Sequence, residues 1–214
     1  MIELVIAMAI NLILVLVVGV LFVNGNRAWQ NTFDSAHSTI EEDAYAITTA
    51  FGSIGRKSNR LNYVVYKKTG INYKPVETSN QNSEEIVYGD AVEFRYWDVE
   101  FDQSDSHHLL DTTKTATAYA FFYHEGTQLK VDYGPYPPGA IPDGGGQRNT
   151  TDVTTIILAE NVSVDNNNDG AFSHTMMGQT GQGSVRLNIT LTDPNSEKST
   201  QVITSTLMRN IWPR

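Results

Sequence analysis

The feature that most constrains this chain is a run of 20 residues, Leu4 to Val23, without a single charge. The run holds one amide, Asn11, and one glycine, Gly19. As a helix it would rise ~30 Å, the thickness of the hydrocarbon core of a bilayer. Glu3 stands at its mouth. No Lys or Arg precedes it, and no small-residue exit follows it. A cleaved secretory signal needs both, so the stretch reads instead as the start of a mature chain. The carboxylate then sits where a free N-terminal amine could meet it.

Behind this run the period stays helical. Trp29, Phe33, Ala36, Ile40, Ala44, Ile47, Phe51 and Ile54 are three or four residues apart, which places them on one face of an α-helix. Arg27, Asp34, Glu41, Glu42 and Asp43 fall on the other face. Gly55, followed by Arg56 and Lys57, reads as a helix stop with cations at the negative end of the dipole. The sequence thus predicts a helical segment over 1–56, with 1–25 as the hydrophobic part and 27–56 as an amphipathic half packed on a body. A kink is expected at Gly19 or at Asn24-Gly25-Asn26.

From about residue 61 the apolar period becomes two and β-branched residues dominate. Strands are expected at 62–68, 85–88, 91–101, 115–123, 128–133, 153–158, 171–176, 184–192 and 200–209. A phase change within 91–101 suggests a bulge near Tyr96, and His124-Glu125-Gly126 reads as a hairpin turn. The segment 134–146 has nine Pro or Gly among 13 residues, which excludes helix and strand through it. It is expected either to pack on the outer face of its own sheet or on a neighbouring copy, or to remain a solvated excursion. The fold class that follows is α+β: a long N-terminal helix on an antiparallel β-sheet domain over 57–214.

The formal net charge of −9 argues against nonspecific binding to nucleic acid. The absence of cysteine removes disulfides, Fe–S clusters and thiolate zinc. No nucleophile elbow, phosphate loop or zincin signature is present, and no catalytic residue stands out, so the chain is not expected to be an enzyme.

An acidic residue at the head of a long apolar helix, followed by an antiparallel β body, resembles the type IV pilin and pseudopilin superfamily. Met1-Ile2-Glu3-Leu4-Val5 is similar to the Leu-Ile-Glu-Leu-Val part of that family's mature start. Glu3 falls two places earlier than in the family's pattern. The segments 165–170, 185–193 and 206–210 are similar to the end of the larger minor pilins and minor pseudopilins.

The resemblance implies a structural subunit of an extracellular type IV pilus-like filament with a mechanical or adhesive role. The subunit would be inserted in a membrane before assembly. Its partners would be other copies of itself, an inner-membrane assembly machinery and a prepilin peptidase. Glu3 would pair with the N-terminal amine of a neighbouring subunit. Leu4, Ile6, Ile10, Leu14 and Phe22 would form the assembly surface, while Trp29, Phe33, Ile40, Ile47 and Phe51 would pack on the body. The alternatives are a minor pseudopilin of a type II secretion system and a monomeric, membrane-anchored β domain that binds a ligand.

No cofactor is expected, with one qualification. Asp165, Asn167 and Asp169, followed by Gly170, have the alternate oxygen ligands that open a calcium loop. The bidentate Glu that would close such a loop is replaced by Met176. The same residues also suit a polar β-turn.

Overall fold

The computed structural model describes residues 15–30, 39–58, 63–76, 86–98, 115–164, 170–177, 182–194 and 198–207. Among the described residues there are two helices, α1 over residues 15–30 and α2 over Thr39–Lys57. The chain is otherwise mostly strand, in two curled antiparallel sheets. This corrects the expected fold class. Among the described residues the helices are short, and none is a long N-terminal helix packed on a β body.

Ser38-Thr39-Ile40-Glu41, at the first residues of α2, carries the S-x-x-E spacing of a capping box. The expected kink points do not interrupt the helix. α1 runs through both Gly19 and Asn24-Gly25-Asn26, because each costs a helix only about 1 kcal/mol or less per residue.

The expected membrane span is corrected as well. Among the described residues no helix is long and apolar enough to cross a membrane. Insertion through an N-terminal apolar helix, and the passage from membrane to cell surface that it implied, is therefore unsupported. The chain divides into two compact units, Met1–Glu41 and Glu42–Arg214.

The larger unit holds twelve strands among its described residues: β1 Tyr63–Thr69, β2 Asn72–Pro75, β3 Ile86–Gly89, β4 Ala91–Tyr96, β5 Ala118–Glu125, β6 Gln128–Pro135, β7 Gly146–Gln147, β8 Thr154–Ala159, β9 Val162–Ser163, β10 Phe172–Met177, β11 Gln182–Thr192 and β12 Ser199–Leu207. One sheet has the order β7-β2-β1-β4-β5-β6-β8. The other has β12-β11-β10-β3, with β9 also paired to β11. The β5–β6 hairpin closes at Glu125↔Gln128 over Gly126-Thr127. Gly126 takes φ +63 at the first loop position, as a type II′ turn requires.

β4 pairs without interruption through Tyr96, so the apolar phase change there marks the strand's end rather than a bulge. The register shift lies instead at Leu129/Lys130, between β6 and β8.

The seven-stranded sheet is covered on both faces, which explains why β4 and β5 are buried almost throughout. On one face Phe51 of α2 meets Phe94 and Phe122 edge-on, at centroid distances of 5.5 and 5.4 Å, and stacks on Phe172 of the second sheet at 6.2 Å. α2 approaches closely at Gly55, where a Cβ would lie 2.3 Å from Thr206 Cγ2. Gly55 is thus a packing residue inside the helix and not its stop. α2 ends at Lys57, where Ser58 N–H donates to Ile54 O and Ser58 Oγ donates to Arg95 O.

The opposite face is covered by the Pro/Gly-rich segment. Ala140 and Ile141 are buried with Tyr66, Tyr73, Tyr119, Phe121 and Tyr123. The expectation that no pairing enters this segment fails at its ends. Gly134 and Pro135 belong to β6, and Gly146 pairs with Tyr73 of β2.

Candidate functional site

The face beneath the 136–145 cover is built from the residues that alternate with Val92, Phe94 and Phe122. Pairing places Glu93 beside Phe121 and Arg95 beside Tyr119 on β4 and β5, then Asp132 beside Phe121 on β6. Strand alternation therefore carries two carboxylates and a guanidinium into an aromatic layer.

Each charge has an answer, as burial demands. Glu93 is fully buried. Its Oε1 accepts from Arg95 Nε at 2.5 Å and its Oε2 accepts from Ala140 N–H at 2.9 Å. Arg95 lies 4.6 Å from the centroid of the Tyr136 ring, so one ion pair fastens the cover at two points. Asn149 N–H donates to Ala140 O at 2.7 Å and closes the cover from its far end.

Asp132 is 1% exposed. Its Oδ1 accepts from Thr155 Oγ1 at 2.7 Å and Tyr123 O–H at 3.3 Å. Arg148 Nη1 lies 2.9 Å from Asp132 Oδ2, yet neither atom has an aligned hydrogen-bond partner. The contact is an ion pair without a directed bond. Burial pushes the Asp132 carboxyl above its usual range, against the lowering effects of Thr155, Arg148 and Tyr123. The same desolvation raises Tyr73, Tyr119 and Tyr123 to about 12.

At the rim of this face is a cleft of about 310 Å³, lined by Lys68, Gly70, Ile71, Tyr73, Glu125, Gln147 and Arg148. Glu125 is held below the usual carboxylate range by the hydrogen bond from Lys130, with Lys68 and Arg148 adding to it. A second hollow of about 230 Å³ lies on the other sheet, among Ile86, Tyr88, Gly170, Ala171, Ser173, Arg186 and Asn188. Tyr63 O–H and His174 Nδ1 are hydrogen-bonded between β1 and β10, and burial lowers the His174 pKa. These groups are matched acid to base and phenol to imidazole. Their geometry holds strands and a loop together.

The residues singled out in the sequence are placed as follows. Glu3, Leu4, Ile6, Ile10, Leu14 and Phe33 lie outside the described residues, as do Asp165, Asn167 and Asp169. Phe22 and Trp29 are on α1, 76% and 68% exposed. Ile40, Ile47 and Phe51 are buried on α2. Among the described residues no group of three or more His, Asp or Glu side chains is placed to hold a metal ion.

Among the described residues α1 carries the longest run of exposed large apolar side chains. From Val15 to Val23 every large side chain is at least half exposed, from Val23 at 50% to Phe22 at 76%. Sequence reasoning missed the Glu93–Arg95 and Asp132–Arg148 pairs. The signal available was Glu93-x-Arg95, two opposite charges on one face of an otherwise apolar strand.

No family model matches this chain, and neither a curated protein nor a solved structure matches it.

Proposed function

We propose that this chain is a structural subunit that associates with copies of itself into a filament, in the manner of the pilin-like proteins its first residues resemble. The observation that carries the reading is α1. Val15, Leu16, Val17, Val18, Val20, Leu21, Phe22 and Val23 are consecutive but for Gly19, and all are exposed. Eight such side chains in nine positions surround the helix instead of forming a stripe.

A helix that is apolar all round needs cover all round. One groove on a partner would cover one side. A bundle of identical helices covers every side, and each copy solves the same problem for its neighbours. The β body supports a mechanical or adhesive role, since its buried charges are spent on fastening strands and a loop.

The test compares the full chain with a form lacking residues 1–30, in aqueous buffer, by analytical ultracentrifugation and negative-stain imaging. The full chain is expected to form elongated assemblies and the shortened form to sediment as a monomer. A monomeric full chain, or a shortened form that still makes filaments, would refute the proposal. A second reading, a monomeric ligand-binding body, is favoured by the cleft at Lys68, Glu125 and Arg148. It requires the first of those two results.

A further inference from the structure

Outside α1, the exposed large hydrophobic side chains among the described residues are Tyr45, Ile71, Ile86, Ile156, Ile157 and Ile203. Half of them lie on two strands, β8 and β12, and among the described residues each of these strands is the edge of its sheet. An edge strand presents unpaired N–H and C=O groups, and proteins guard such edges with short length, charge or proline. The opposite edges obey this rule by length, since β7 has 2 residues and β3 has 4.

The β8 and β12 edges follow none of these devices. β8 reads TTIILA and β12 reads STQVITSTL, 6 and 9 residues without a charge or a proline. In a chain with a net charge of −9, two uncharged, β-branched edges are the places where copies meet without repulsion.

We infer that β8 of one copy pairs antiparallel with β12 of the next, so that the β bodies are joined edge to edge in addition to the association through α1. The inference rests on the self-association reading above and names a contact for it. Charge selects the partner and the direction. Glu160 follows β8 and Lys198 precedes β12, and both are exposed. Antiparallel pairing brings these two ends together.

The register that sets Ile157 opposite Ile203 places Glu160 opposite Thr200, and Lys198 is then its diagonal neighbour within reach of a long side chain. Pairing β8 with β8 or β12 with β12 brings no such opposite charges together among the described residues. Because the two edges differ, the contact is heterologous and propagates along an open chain instead of closing a dimer. A contact of six residue pairs is small beside a standard interface, so it orients bodies that α1 already gathers.

The chain contains no cysteine, which makes cross-linking unambiguous. Opposed residues of an antiparallel pair have Cα atoms about 4.5–5.5 Å apart, within disulfide range. The full chain carrying Ile157→Cys and Ile203→Cys together is assembled, mildly oxidised and run on a non-reducing gel. The expected result is a ladder extending beyond dimer. Each single variant should stay monomeric, and the displaced pair Ile156→Cys with Ile203→Cys should cross-link several-fold less.

Dimers from either single variant, equal cross-linking by the displaced pair, or no cross-linking in an assembled sample would each overturn the edge contact while leaving association through α1 intact. A wild-type chain that never assembles would overturn the self-association reading, and this contact with it. As a second probe, Glu160→Lys should lower the ladder yield and Lys198→Glu added to it should restore it. A charge swap without recovery overturns the register.

Discussion

Replacing Ile141 with alanine tests whether the Pro/Gly-rich cover belongs to the core. Ile141 is 2% exposed and sits in the cluster of Tyr66, Tyr73, Tyr119, Phe121 and Tyr123. The substitution removes three carbons, worth about 0.8 kcal/mol each in transfer free energy, or about 2.4 kcal/mol together. The cavity left among four tyrosines and a phenylalanine adds to this, because the structure around it collapses only in part. A total near 3 kcal/mol is expected.

For a chain of this size that corresponds to a fall in Tm of roughly 6–12 °C. The assay is urea unfolding followed by far-UV circular dichroism, at one fixed protein concentration because association shifts the apparent stability. The midpoint should move while the slope stays the same. Asp143→Ala, at an exposed position in the same segment, serves as the control and should change stability by less than about 0.5 kcal/mol. A loss at Ile141 no larger than at Asp143 would mean that the cover is a solvated excursion.

Two further substitutions probe the charges and the helix packing. Arg148→Ala leaves the Asp132 carboxylate, 1% exposed, without its cation and should cost about 2–4 kcal/mol at neutral pH. Burial already holds the Asp132 pKa above its usual 3.8. The folded state therefore binds that proton more tightly than the unfolded chain, and the penalty should shrink as pH falls from neutral through the raised pKa. Equal losses at neutral and mildly acidic pH would refute this. Gly55→Ala improves helix propensity by about 1 kcal/mol. It also drives a Cβ into Thr206, whose atoms lie 2.3–2.6 Å from that position, so a net loss of about 1–2 kcal/mol is expected. Thr206→Ala in the same chain should recover part of it, and additive losses in the thermal-melt cycle would exclude the contact.

The sequence by itself located nine of the twelve described strands and the β5–β6 hairpin. Those signals are local: alternation is written in neighbouring residues, and Gly126 announces its own turn. β2, β7 and β9 escaped because strands of four and two residues are made by backbone pairing to a partner rather than by their own pattern. The 20-residue apolar run was legible as a helix former, and α1 carries its later part.

The site on the covered face was the least legible of all. Glu93 and Arg95 look like solvent-facing residues of a half-exposed strand, and Ala140 and Ile141 look like incidental members of a loop. Only the stacking of β4, β5 and β6 brings Glu93, Phe121 and Asp132 onto one face. Only the return of the chain over that face takes it out of water, turning ordinary surface charges into buried pairs. Strand periodicity is a property of adjacent residues and can be read from them. Whether a face is wet or dry depends on what arrives to cover it, from 47 residues away in the case of Ala140 and Glu93, and that is decided by tertiary structure alone.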